Sequence, residues 1–403
     1  MAREMKDSGI EWIGEIPLHW GITSLKHLCK MQAGKTLSSE QIAQEGQYPV
    51  YGGNGVRGFY KEFNNEGIYL LIGRQGALCG NVHKVDGKFW ATEHAVLVRI
   101  FNGYDIYFMY YMLMSMNLNQ YASNTAAQPG LAVSTILNVK ACIPPIGEQQ
   151  KIANFLDKKY IELDNVLEKT RASIEEYKKL KQVVISQAVT KGIRGNREMR
   201  DSGIEWIGKI PIEWKIIRIK WILNERKEKS EYGEEEPLSM SQKYGIIPTR
   251  EMEIIPNIAS SFIGAKIVYS GDLVFNKLKA YLGVFAVSQY NGLVSPDYAV
   301  YCSKGIADVK YLEYLFKTPQ YIAEFKKRSS GVGAGLTRLY TDELYSIYCL
   351  LPSQDEQKEI ICYLNKKIKE IDNLIEKKEQ YLSEIENYKK SLIYEYVTGK
   401  KEV

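Results

Sequence analysis

Nowhere in its 403 residues does the chain have a run of about 18 apolar residues, the least that a membrane-spanning helix needs. Its opening, MAREMKDSGIEW, lacks the apolar stretch of a secretory signal, and a cytoplasmic location is expected. Six cysteines (Cys29, Cys79, Cys142, Cys302, Cys349 and Cys362) are scattered without a CxxC pair. That argues against a thiolate metal site and for free thiols in a reducing compartment. The four histidines, His19, His27, His83 and His94, never pair at i, i+4, so the helix of a zinc protease is absent. Gly34-Lys35-Thr36 has the form of the end of a phosphate loop, but Cys29 stands where that loop requires glycine. There is no Asn-Pro-Pro-aromatic tetrapeptide to grip a base for methylation, and no glycine-rich adenosylmethionine loop after a strand. Pro296-Asp297 has the form of a nuclease opening, yet no Glu-x-Lys follows at a suitable distance. A net charge of +5 permits nucleic-acid binding without arguing for it.

What the chain does contain is a repetition. Met5 to Trp20 reads MKDSGIEWIGEIPLHW and Met199 to Trp214 reads MRDSGIEWIGKIPIEW, identical at twelve of sixteen positions. A second echo follows in each half. Glu148-Gln149, Ile152, Phe155, Leu156, Asp164 and Asn165 correspond to Glu356-Gln357, Ile360, Tyr363, Leu364, Asp372 and Asn373. Between these bookends the halves barely resemble one another. The pattern is a duplicated frame with a divergent payload, and its period is far too long for a solenoid. Trp12, Trp20, Trp206 and Trp214 are expected to anchor the repeated segments rather than to touch a ligand.

Two segments, from about Gly147 to Lys191 and from about Ser353 to Val397, carry apolar residues in steps of three and four with Lys and Glu between them. This predicts two long amphipathic helices with a coiled-coil-like seam. Ile152, Leu156, Leu163, Val166 and Ile174 are the packing positions of the first, and Ile360, Leu364, Ile371, Leu374 and Leu382 those of the second. Pro144-Pro145 and Pro352 precede the helices, and Gly192 and Gly399 end them. If the seams bury each other, chain order makes the helices antiparallel. The expected architecture is two α/β (α+β) domains related by a pseudo-two-fold axis and separated by that helix pair. Domain bounds are placed at 1–145, 146–192 (first helix), 193–352 and 353–403 (second helix). Within the second domain a single helix is expected from Val309 to Lys326.

The polar, glycine-punctuated stretches are the candidate ligand contacts. In the first domain they bring Asn54, Arg57, Arg74, Gln75, His83 and Lys84. In the second they bring Asn276, Lys277, Lys279, Tyr281, Arg328, Ser330 and Arg338. Glycine lets the backbone approach phosphates. Arg forks onto guanine, and Asn or Gln onto adenine. Each cluster taken alone also reads as an ordinary solvated loop.

These stretches resemble a family. DSGIEWIGEIP, YGGNG, LIGRQG and PPIGEQQKIANFLD, with their second-half counterparts through LPSQDEQKEIICYL and VTGK, look like the specificity (S) subunit of type I restriction–modification systems. The resemblance implies two DNA target-recognition domains, each reading one half of a split double-stranded site. It implies conserved helices that set the unread gap and dock two methyltransferase subunits, through which motor-nuclease restriction subunits join. It implies no catalytic residue, metal or cofactor in this chain, with adenosylmethionine, ATP and Mg belonging to the partners. Two other readings stay open on the residues alone: an enzyme acting on nucleic acid through Asp297, and a coiled-coil scaffold whose end domains bind proteins.

Overall fold

The computed structural model describes residues 3–76, 78–123, 130–241, 244–254, 261–331 and 337–403, with the Tyr281 side chain outside the description. The fold is mixed α/β with long helices. Helices run over Ile146–Lys191 and Gln354–Val397, and among the described residues none is long and apolar enough to cross a membrane. Each long helix stops at a glycine in the left-handed region, Gly192 at φ +78 and Gly399 at φ +72, which no residue with a Cβ adopts cheaply. The chain divides into two compact units that do not follow the linear order of its segments. The first unit takes in residues up to 171 and again from 380, and the second spans 172–379.

Inside the first unit the opening turns of the first helix lie along the closing turns of the second. Asp164 meets Lys389, and Arg171 meets Glu386 at 3.0 Å. Inside the second unit Lys181 meets Asp372 at 2.7 Å and Arg194 meets Glu359 at 2.8 Å. In both, numbers rise along one helix as they fall along the other, so the pairing is antiparallel. These ion pairs are largely exposed and add little to stability. The apolar seam carries the packing: Ile152, Leu156, Leu392 and Val397 are buried in the first unit, and Ile174, Ile360, Leu364 and Ile371 in the second. Leu163 and Leu382 are half-buried.

Two expected seam positions are corrected. Val166 is 36% exposed and Leu374 is 42% exposed, whereas Leu167, the residue after Val166, is buried at 4%. LDNVL and IDNLI each offer an apolar residue three and four places beyond Leu163 or Ile371. The seam takes the fourth, Leu167 and the half-buried Ile375, because one helical residue rotates a side chain about 100° around the axis. Leu374→Lys is therefore expected to change the unfolding free energy by no more than about 0.5 kcal/mol, measured by urea denaturation. A loss of several times that would restore Leu374 to the seam.

Each unit holds an antiparallel four-stranded sheet with the same chain path. In the first the spatial order is Cys29–Ala33, Ala95–Ile100, Tyr69–Gly73, Val82–Val85, and in the second Leu223–Glu225, Tyr298–Ser303, Leu273–Asn276, Phe285–Val287. Both faces are covered. Leu70, Ile72, Val96 and Val98 enter the main core, while Leu71, Ala95 and Leu97 meet Phe89 and Val85 in a smaller one. Central strands buried on both sides read as unbroken apolar runs, which is how YLLIG and AVLVRI look. Gly34-Lys35-Thr36 serves this packing: a Cβ at Gly34 would fall 2.3 Å from the carbonyl oxygens of Ala91 and Thr92. The single helix expected over Val309–Lys326 is two, Val309–Phe316 and Pro319–Arg328, because Pro319 lacks the N–H that would continue the first and instead starts the second.

The repeated sequences meet in a polar knot, one per unit. In the first, Glu148 accepts hydrogen bonds from the Trp20 indole at 3.1 Å and from Arg3 at 2.7 Å, and pairs with His19 at 2.6 Å. In the second, Glu356 accepts from the Trp214 indole at 3.0 Å and from Arg197, which also reaches Glu213 at 3.1 Å. The adjoining glutamines are equally fixed. Gln149 accepts from the Asp105 N–H at 2.8 Å and donates to the Pro144 carbonyl at 2.8 Å. Gln357 accepts from the Asp308 N–H at 2.7 Å and donates to the Pro352 carbonyl at 3.0 Å. Asp105 and Asp308 in turn cap the helices Ile106–Ser115 and Val309–Phe316. Two letters, Glu-Gln, thus tie a tryptophan segment, a long helix and a short helix together. The Trp20 and Trp214 side chains are buried structural anchors.

Candidate nucleic-acid interface

In the first unit the candidate residues converge at one end of the sheets. Asn54 sits in the turn of the hairpin Tyr48–Gly52/Gly55–Tyr60, and Arg57 on its second strand. Arg74 and Gln75 follow the strand Tyr69–Gly73. The two loops touch through their backbones. A Cβ at Gly73 would lie 1.9 Å from the Gly53 carbonyl oxygen, and a Cβ at Gly53 would lie 3.2 Å from that of Gln75. The Asn81 amide donates to the Asn54 side-chain oxygen at 2.9 Å. Arg57 lays its aliphatic stem over Gly52. Asn54, Arg57, Gln75 and His94 then line a shallow cavity of about 460 Å³.

Among the described residues neither Arg57 nor Arg74 has an ion-pair partner. Arg57, held beside amide side chains and glycine backbone, makes a surface suited to phosphates and base edges. His83 and Lys84, adjacent in sequence, part company because successive strand residues point to opposite faces. The His83 ring lies under Gly55, where a Cβ would meet it at 3.4 Å, with its Nε2 buried and unpartnered. Burial pushes its pKa down from 6.5, so the ring is neutral at pH 7. Lys84 turns to the other face and stacks over Tyr107 at 4.2 Å, away from the Asn54–Gln75 cavity.

The second unit presents its candidates differently. The Asn276 side chain caps the turn it begins, accepting from the Leu278 N–H at 2.9 Å. Lys277 stands 3.6 Å from Glu225, which Lys266 also approaches at 3.7 Å. Burial, and then the charge of Lys277, push Lys266 down to about 8 against the opposite pull of Glu225. Lys279 and Ser330 are exposed. Arg328 is fastened at both ends, to Glu324 at 2.7 Å and to the Ser346 hydroxyl at 2.7 Å. Arg338 reaches Asp297 at 2.5 Å. The side chain of Tyr281 lies outside the described residues. Sequence reading did not assign His94 to this surface, since it adjoins the cavity only through a strand pairing. It also missed the Glu148 and Glu356 knots, for which the extension of the repeat to Arg3-Glu4-Met5 and Arg197-Glu198-Met199 was the available signal.

Residues 17–176 match the family described as type I restriction modification DNA specificity domain. This chain is similar to the type I specificity subunits. The EcoprrI specificity subunit of Escherichia coli is 49% identical over 139 residues, which is 34% of this chain and 34% of that protein. The chain thus matches about a third of the length of that relative. A specificity subunit described as putative, MjaX of Methanocaldococcus jannaschii, is 24% identical over 96% of this chain and 95% of its own. Among solved structures, one reported for complex assembly and conformational transition of the type I R-M system has a TM-score of 0.70 at 12% identity, covering 96% of this chain and 99% of that one. The HsdS subunit from Thermoanaerobacter tengcongensis has a TM-score of 0.53 at 12% identity over 96% and 98% of the two chains. At those identities the likeness is one of fold.

Proposed function

We propose that the chain reads a split DNA site, one half per unit, as the specificity subunit of a type I restriction–modification complex. It contributes recognition and no catalysis. Two methyltransferase subunits dock on it, restriction subunits join through them, and those partners bring adenosylmethionine, ATP and Mg. The long helices fix the unread gap between the half-sites. The observation that carries this reading is Arg57, without an ion-pair partner among the described residues, held beside Asn54 and Gln75 on a glycine-shaped surface. The nuclease alternative loses support at Asp297, whose carboxylate is occupied by Arg338.

The test uses the full chain, alone and with methyltransferase subunits, on a pool of duplexes with randomised positions. The assembled complex is expected to enrich two short motifs separated by a constant unread gap. Binding should weaken as salt rises, with a slope of about 0.9 per phosphate contact. Arg57→Ala should lower affinity for the selected duplex about tenfold through one half-site only. A single contiguous motif, or DNA cleavage or methyl transfer by the chain alone with Mg²⁺ and adenosylmethionine, would remove the proposal.

A further inference from the structure

We propose that Arg338 reads a guanine in the half-site taken by the second unit, and that Asp297 is the residue that positions it. This rests on the DNA-recognition reading above and adds a named base contact to it. The two units build their sheet ends on one main-chain plan. In the first, the Arg74 N–H donates to the His94 carbonyl at 2.9 Å, and the Arg74 carbonyl accepts from the Leu131 N–H at 2.9 Å. In the second, the Lys277 N–H donates to the Asp297 carbonyl at 3.0 Å, and the Lys277 carbonyl accepts from the Leu339 N–H at 3.0 Å. Three chain segments therefore cross identically, and in the first unit that crossing supports the surface of Asn54, Arg57 and Gln75. Arg338, one residue before the fully buried Leu339, takes the place that Gly130 holds in the first unit, where Gly130 bridges Gln75 of that surface.

The side chain is set for a ligand rather than for stability. One guanidinium nitrogen, Nη2, bonds one oxygen of Asp297, and Nε is buried with no partner among the described residues. Both side chains stay partly exposed, at 30% and 48%. Arg328, by contrast, spends Nε on Glu324 and Nη1 on Ser346, which is how an arginine is bound when its task is to fasten a helix. A single carboxylate contact adds little to stability at this exposure, but it fixes the plane of the guanidinium. A fixed guanidinium matches the two acceptors, O6 and N7, that guanine offers in the major groove. Ser330 lies directly across the hairpin from Arg338. Asn276 and Asp297 line an adjoining cleft of about 380 Å³ with Ser239 and Ser295, so the polar surface continues beside the arginine.

The experiment is the randomised-duplex selection with the full chain and its Arg338→Lys and Asp297→Asn variants, each assembled with methyltransferase subunits. Lysine keeps the positive charge and loses the fork. Arg338→Lys should lose preference for guanine by about tenfold or more at one position of one half-site, with the other half-site unchanged. Asp297→Asn should lose part of the preference at that same position. An unaltered motif with Arg338→Lys overturns the proposal, as does a uniform loss across all positions, which would mark a phosphate contact. If only Arg338→Lys has an effect, Asp297 is not its positioning residue. The intact half of the motif reports in the same selection that a variant is folded. If Arg338→Lys loses both halves, the effect of Asp297→Asn at a guanine position decides. A wild-type chain that enriches no motif even when assembled with methyltransferase subunits sinks the recognition reading itself, a result separate from the others.

Discussion

Replacing Glu356 by alanine should lower the unfolding free energy by about 3–5 kcal/mol, whereas the same change at Glu148 should lower it by only about 1 kcal/mol. The two carboxylates hold equivalent places in the repeated frame and differ in surroundings. The Glu356 side chain is 4% exposed and its partner Arg197 is 10% exposed, so truncation strands a buried cation and removes the acceptor of the Trp214 indole. The Glu148 side chain is 32% exposed, with Arg3 at 25% and His19 at 48%, and water can replace what it provides. Arg197 retains Glu213 after the substitution, which holds the loss toward the lower end of that range. Urea denaturation followed by circular dichroism and by tryptophan fluorescence checks both variants. Equal losses would mean that burial does not govern the knots.

The second large effect is expected at Gly73. A Cβ there would stand 1.9 Å from the Gly53 carbonyl oxygen and 3.3 Å from that of Leu78, a conflict with backbone that no rotamer relieves. Gly73→Ala must displace the Gly53-Asn54 turn, at roughly 1–3 kcal/mol of stability. That turn carries Asn54 and leads into Arg57, so affinity for the first half-site should fall more than tenfold while the second is read as before. Half-site footprints measured beside a thermal melt separate the effects. A variant with normal reading of both halves would show that the contact between these loops does not shape the surface.

The long helices were legible because a 3.6-residue period survives in any amphipathic stretch. Their exact seam was not, since Val166-Leu167 and Leu374-Ile375 offer two apolar neighbours and only packing chooses between them. The tryptophans were readable as anchors, but their acceptors were not. A buried Glu joined to a distant Arg and Trp leaves no periodic trace, and Glu148-Gln149 looked like an ordinary helix start. Strand alternation in Val82–Val85 could have separated His83 from Lys84 on period alone. The common sheet plan of the units was hidden for a different reason. It is conserved as main-chain hydrogen bonds from Arg74 and Lys277, which any side chain satisfies equally. Asp297 and Arg338 lie far apart in the sequence and meet only because those bonds bring their strands together.

That main-chain crossing has an evolutionary consequence. Since the path at each tip is held by peptide groups and by core residues such as Leu131 and Leu339, the side chains projecting from it owe little to folding. Under the proposed function, exchanging a few of them would redirect the chain to another DNA address while the frame, its knots and its long helices stay unchanged.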